Sequence, residues 1–232
     1  MDATSTTHSA REQQLLDAAA KLFLHFGFDK ATVADVAAEA GVSKGAVYLH
    51  FTSKEALLEA LILREMQAYA LVWVETVEAD PRGGTVGGMY RCALKALNDN
   101  AVMSAMLRQD SRVFGNYLRR PGNFLSGSRS GASRKDFVEA MQQAGAIRQD
   151  VNSAVTAHIM NMLSYGLVSM AQIMDTSQIP PTDELLEGIA DLLDRALTPA
   201  DGGNGSVGKV IVRDMYEAGA TRLARARAGG RK

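Results

Sequence analysis

An all-α protein is what this sequence predicts, and three observations carry the prediction. Apolar residues recur at intervals of three and four through most of the 232 residues. No stretch shows a persuasive strand alternation. Hydroxyl caps at the front and glycines at the back punctuate the helical runs.

Taken in order, Ser9 and Glu12 form a capping box for a first helix. Its Leu15, Ala18, Ala19, Leu22, Phe23 and Phe26 make one buried face up to Gly27. Thr32 then caps a short helix carrying Val33, Asp35, Val36, Ala37 and Ala40, which Gly41 releases. Only Gly41 and Val42 separate it from Ser43, the cap of another short helix predicted from Lys44 to about Phe51. Two short helices around a tight glycine turn make a helix-turn-helix, the arrangement that sets a second helix into a DNA major groove. Val47 and Phe51, four apart, face the core and leave Lys44, Gly45, Tyr48 and Leu49 outward.

From Ser53 neither Pro nor Gly interrupts the chain before Asp80, so one helix is predicted from Lys54 to about Ala79. At ~1.5 Å per residue it spans about 40 Å, enough to link two domains. "DPRGGTVGG" breaks it. Further helices are predicted over 89–98, 101–118, 133–144, 151–175 and 183–197. The loops between them are "RPGNFLSGSRSGAS", "SQIPPT" and "TPADGGNGS". Val207, Val210, Ile211, Met215 and Leu223 suggest a last helix that packs, with Arg225 to Lys232 read as a disordered tail.

Composition removes several classes of function. The amino terminus lacks the apolar stretch of a secretion signal and no apolar run reaches membrane length, so a cytoplasmic chain is expected. A single cysteine, Cys92, excludes an internal disulfide, and four scattered histidines suggest no metal site. There is no nucleophile elbow, no paired His/Glu metal spacing and no glycine-rich nucleotide loop, so no enzyme and no cofactor are expected. Net charge is −1, yet residues 201–232 hold seven Lys or Arg against three acids, which makes that end a candidate for contact with polyanions.

The outward residues of 41–57 suit DNA. Lys44 can meet a phosphate, Tyr48 offers a hydroxyl and a ring, and the small Gly45 and Ala46 let the backbone approach a groove. Helix starts at Thr32, Ser43 and Lys54 add amide donors for phosphate oxygens. On spacing alone the same residues also suit a solvated helix.

The run "ATVADVAAEAGVSKGAVYLHFTSKEALL" resembles the DNA-binding segment of the tetracycline-repressor (TetR) family, and the specific match covers about residues 9–60. The resemblance implies DNA contacts at Thr32, Ser43, Lys44, Gly45, Tyr48, His50 and Lys54, with Ala46 beside them. Leu49 stands where the family often has an aromatic residue, which implies an apolar contact there; His50 suits a structural role equally. The implied plan is an amino-terminal helix-turn-helix three-helix DNA-binding domain over 1–55, a helical ligand-binding and dimerisation domain over 56–200, and a basic helix or tail over 201–232.

It also implies a homodimer through the helices near 151–175 and 183–197, the second carrying the stripe Leu185, Leu186, Ile189, Leu192 and Leu193. Double-stranded operator DNA and a small-molecule effector are the implied partners, with no membrane. The resemblance also implies a ligand cavity, for which methionines are adaptable lining residues, so Met66, Tyr69, Trp73, Met106, Phe114, Tyr117, Met162 and Tyr165 are the candidate ligand contacts, although plain core accounts for each methionine as well. Arg108 and Arg112, a turn apart, also suit an acidic ligand group, although ordinary solvation accounts for them as well. The alternative is a helical small-molecule carrier without DNA function.

Overall fold

The computed structural model describes residues 3–121, 123 and 133–229, with side chains described over 9–121, 123 and 133–221. Its regular elements are helices: α1 (Ala3–Phe26), α2 (Val33–Glu39), α3 (Lys44–Tyr48), α4 (Lys54–Ala79), α5 (Val86–Asn98), α6 (Ala101–Leu107) and α7 (Ser111–Phe114). After them come α8 (Arg134–Gln143), α9 (Ser153–Ser169), α10 (Thr182–Leu197) and α11 (Val207–Gly229). Short 3-10 turns follow α7 at Tyr117–Arg119 and α9 at Met170–Gln172 and Thr176–Gln178. Among the described residues no helix is long and apolar enough to cross a membrane.

The chain forms two compact units, one of Met1–Met66 with Ala101–Gly127 and one of Gln67–Asn100 with Ser128–Lys232. This division is not the one expected at residue 55: α6 and α7 return to the amino-terminal unit, and residues 201–232 join the second unit instead of standing apart. The cause is apolar. Val102, Ala105, Val113, Phe114 and Tyr117 are buried in the same core as Leu15, Leu16, Phe23, Val36, Val47, Leu58 and Ile62. Burying side chains of this size is worth roughly 1.5–3 kcal/mol each, more than the cost of closing the loop that brings them back.

Local readings hold in part. α1 already begins at Ala3, so Ser9 lies inside the helix and caps nothing; neither Pro nor Gly interrupts residues 3–26. Phe26, expected in the core, is 54% exposed. Phe28, beyond the glycine turn, is the buried ring instead and meets Phe23 edge-on at 5.4 Å between centroids. The predicted helix 101–118 is broken after Leu107 by Gln109, which adopts φ 50°. There Asp110 N bonds Ala105 O at 3.0 Å and Gln109 N bonds Met106 O at 3.0 Å, the paired closure of a Schellman turn made without glycine. Helix 151–175 likewise ends at Ser169. α11 runs to Gly229 where a disordered tail was expected, and residues 230–232 lie outside the described part, as does most of the loop after Arg120.

In the second unit the "DPRGGTVGG" segment is a packing device. Asp194 of α10 accepts the Gly87 amide at 2.7 Å and the Thr85 hydroxyl at 3.0 Å, and Arg82 reaches Asp194 at 3.2 Å and Asp191 at 2.9 Å. A Cβ on Gly87 would stand 2.1 Å from the Ala190 carbonyl oxygen, so glycine there lets α5 lie against the α10 backbone. The core beneath contains Val77, Met89, Tyr90, Leu94, Val138, Met141, Ile147, Met160, Leu186, Leu193 and Val212.

Two glycines of the first unit separate conformational cost from steric cost. Gly41 has φ 64° with nothing near an added Cβ, whereas Gly27 has φ 87° and its Cβ would meet the Arg112 carbonyl oxygen at 2.2 Å. Gly41→Ala should therefore lower the unfolding free energy by about 1–2 kcal/mol, and Gly27→Ala by roughly 2–4 kcal/mol, in urea titrations. Equal losses would refute the contact between the α1 turn and α7.

Candidate nucleic-acid interface

The helix-turn-helix is assembled from caps. Thr32 Oγ accepts the Asp35 amide at 3.2 Å while Asp35 Oδ2 accepts the Thr32 amide at 2.8 Å and its hydroxyl at 2.7 Å. These bonds, the hydroxyl's first, hold the Asp35 carboxyl below its ordinary value. The box therefore stabilises the fold above the usual carboxylate range and is lost as the pH falls through the lowered pKa.

At the other end of α2, Val42 N bonds Ala37 O at 2.9 Å and Gly41 N bonds Ala38 O at 3.1 Å, a Schellman turn. Gln14 of α1 adds Nε2 to Ala40 O at 2.7 Å. One residue later Ser43 Oγ accepts the Ala46 amide at 3.2 Å and α3 begins.

α3 has one buried side. Val47 is 1% exposed and Phe51, just past the helix, 7%, whereas Tyr48 is 47% and Leu49 82% exposed. Ser43, Lys44 and Gly45 are also exposed, and Ala46 is half-buried. Lys44 Nζ stands 5.9 Å from the Tyr48 ring centroid, so cation and aromatic ring share one face. An added Cβ on Gly45 meets nothing closer than Ser43 Oγ at 3.8 Å. Packing within this unit gives no reason for glycine there; close approach of an outside surface does.

The remaining candidates lie away from this face. Thr32 is exposed, but its hydroxyl is engaged in the capping box. His50 is half-buried, its ring 6.3 Å from that of Phe51. Lys54 departs furthest from a phosphate contact. Its Nζ donates to Phe28 O at 2.7 Å and Ala31 O at 3.0 Å, and lies 4.4 Å from the Phe28 ring centroid. It braces the turn between α1 and α2 against the start of α4. Sequence reasoning missed this brace, as it missed Gln14, because the partners lie 23 or 26 residues away with no local pattern to mark them.

The eight candidate ligand residues divide between the two units. Phe114 and Tyr117 are 1% and 4% exposed inside the first unit's core, where Tyr117 OH donates to Glu59 Oε1, and Met66 and Met106 pack at that core's edge. Their side chains complete the base of α1–α3 because α6 and α7 belong to that unit. In the second unit Tyr69 is half-buried and Trp73 Nε1 donates to Met89 O at 3.0 Å. Met162 and Tyr165 are 62% and 52% exposed on α9. A crevice of about 600 Å³ in the same unit is lined by none of the eight; Gly145, Ile147, Arg148, Pro199 and Asp201 form part of its wall. Arg108 is half-buried in the turn after α6 and Arg112 ion-pairs Asp110 at 3.6 Å.

Comparison with known proteins agrees with the geometry. Residues 15–61 match the family described as bacterial regulatory proteins, tetR family. The chain is 29% identical over 186 residues to the HTH-type transcriptional repressor Rv1474c of Mycobacterium tuberculosis, covering 77% of this chain and 92% of that protein. It is 30% identical over 141 residues to the A-factor receptor protein of Streptomyces griseus, covering 60% of this chain and 45% of the receptor. The fold is similar to that of the transcriptional regulator FadR from Bacillus subtilis, solved in complex with stearoyl-CoA, with a TM-score of 0.59 and 18% identity over 78% of this chain and 97% of that one. Two of these proteins are named for transcriptional control and the third as a receptor.

The two lysines should behave differently. Lys54→Met should lower the unfolding free energy by about 1–3 kcal/mol, since two carbonyls lose a charged donor, while Lys44→Met stays within about 0.5 kcal/mol of the wild type. Coincident denaturation midpoints for the two variants would refute the brace.

Proposed function

We propose that this chain, a TetR-family transcriptional regulator, binds a roughly palindromic operator as a homodimer, represses the adjacent genes, and is released by a small-molecule effector held in its second unit. It works in the cytoplasm, where operator DNA lies. The observation that carries the reading is α3, which presents Lys44, Gly45, Tyr48 and Leu49 to solvent while Val47 and Phe51 anchor its other side. A five-residue helix held by caps at both ends and by a buried valine keeps those side chains in a fixed array. Fixed position is what base-edge and phosphate contacts need.

Self-association is supported by apolar surface on α9 and α10. Val155, Ile159, Met162 and Tyr165 are each about half exposed, and Leu192 is 68% exposed. On α10 the predicted stripe divides: Leu186 and Leu193 serve the unit's own core, while Leu185, Ile189 and Leu192 remain at least partly open. Surface of this kind, facing outward from two helices, suits a self-complementary two-fold contact. Two-fold symmetry then places half-sites about 34–36 Å apart in the simplest operator. A small-molecule effector is supported by one relative named as a receptor and by a structural neighbour solved with stearoyl-CoA.

Tyr48→Ala should weaken operator binding by about 1–3 kcal/mol, and Lys44→Ala should lower the salt slope of binding by about one unit. Gly45→Ala should raise folding stability by roughly 0.5–1 kcal/mol yet weaken operator binding, because the added methyl is free of the protein and not of the groove. Gel-shift titrations across salt concentration measure all three. Unchanged affinity and slope in every variant would refute the α3 assignment.

Release by an effector requires that it prefer the DNA-incompetent conformation. A tenfold loss of operator affinity corresponds to a coupling of about 1.4 kcal/mol, and linkage obliges operator DNA to weaken the effector by the same factor. Calorimetry of an effector with and without operator checks this; equal affinities for a compound that occupies the second unit would show that it is no inducer.

A further inference from the structure

Four arginines of the second unit meet carboxylates: Arg82 reaches Asp191 and Asp194, Arg91 reaches Glu187, Arg148 reaches Asp150, and Arg213 reaches Glu78. Arg134 does not. It is half-buried, and among the described residues no carboxylate lies within ion-pair distance of its guanidinium. It is also the first residue of α8, where the positive end of the helix disfavours a cation. Asp136 already completes the cap with Ser133, so the helix start has no use for Arg134.

The side chains that meet the Arg134 guanidinium are neutral. Its Nε donates to Asn161 Oδ1 at 2.7 Å, Nη2 stands 3.5 Å from Ser164 Oγ, and its guanidinium carbon lies 5.2 Å from the Tyr90 ring centroid. Ser164 and Tyr90 are 2% and 3% exposed and hydrogen-bonded to each other at 2.7 Å, with Tyr90 OH also donating to Met160 O. Tyr69 of α4 is half-buried in the same unit. Burial pushes both phenols up, so both remain protonated donors at neutral pH.

Of the five guanidinium N–H groups, only the Nε donor has a short partner. Asn161 uses its oxygen toward Arg134, which leaves its amide nitrogen as a further donor. The cluster offers positive charge and donors with no anion to receive them. Trp73, Leu163 and Leu167 pack at the edge of the same unit's core.

We propose that Arg134, with Asn161, is the headgroup site for a carboxylate carried on an apolar body. The planar guanidinium fork presents two parallel donors to two carboxylate oxygens, a match that a neutral alcohol or amide lacks. This rests on the reading that the second unit holds the effector, and it names the effector's chemical class.

The chain's single tryptophan, Trp73, reports binding by fluorescence in the full-length protein. The probes are butanoate, octanoate, dodecanoate and benzoate, each titrated beside its primary alcohol. At least one carboxylate should bind about tenfold or more tighter than its alcohol, the size expected of a charge-assisted pair. Arg134→Gln should erase that preference and leave the alcohol's affinity unchanged, and Arg134→Lys should restore part of it. No binding by any carboxylate, or the same preference in Arg134→Gln, overturns the site. So does weaker self-association of Arg134→Gln in sedimentation with the preference intact, which would assign Arg134 to the dimer. Gel shifts with operator DNA keep the two readings apart. A carboxylate that binds through Arg134 without releasing operator overturns the effector role and leaves the site standing; release by compounds indifferent to Arg134 does the reverse.

Discussion

The turn between α1 and α2 is the constraint on which the first unit depends. Its backbone polar groups cannot be left unpaired beneath the aromatic side chains that cover it. Phe28 N is taken by Val113 O at 2.8 Å, and Phe28 O and Ala31 O are taken by the Lys54 ammonium. One turn thereby joins α1, α7 and the start of α4, and the helix-turn-helix begins one residue later at Thr32. Gly27 allows the close approach, Phe28 fills the space that Phe26 leaves, and Tyr117 packs beside it at 6.3 Å between ring centroids. The orientation of α3 is inherited from this knot through α2, not set by α3 itself, which is too short to hold a direction alone.

The same Schellman closure ends three helices and shows what a sequence can and cannot announce. After α2 and α8 the left-handed residue is glycine, at Gly41 and Gly145, and both helix ends are visible in the sequence. After α6 it is Gln109, for which the left-handed region is unfavourable and no residue type gives warning. The apolar period simply runs on through it, so one helix is read where there are two. The break turns Val113 and Phe114 back into the first core, and with them goes the expectation that Phe114 and Tyr117 line a cavity in the second unit.

Charge is arranged differently in the two halves of the chain. In the second unit Arg82 and Arg91 clasp the acidic edge of α10 formed by Glu187, Asp191 and Asp194, fastening the start of α5 by ion pairs as well as by glycine contact. On α3 Lys44 stands over the ring of Tyr48, and among the described residues it forms no ion pair. A paired arginine stabilises packing, while a cation held over an exposed ring remains available to an anion from outside. Lys54 has the residue type of the second class and the environment of the first, which its position in the sequence cannot disclose.

Helix periods, the hydroxyl cap at Thr32, the cap at Ser43, the turn at Gly41 and the inward side of α3 were all legible because each is decided within one or two helical turns. A hydroxyl three residues before an amide, or a glycine one residue past the last period, needs no distant partner to take effect. The family resemblance lies within this locally determined stretch, and residues 15–61 are the part that matches. Tertiary structure alone decided that Lys54 braces a turn 26 residues earlier, that α6 and α7 close the first core, and that Arg134 stands beside Asn161 and Tyr90 with no acid to pair it among the described residues. The reason is physical: such assignments follow from which surfaces exclude water together, and that choice is made by the packed chain as a whole.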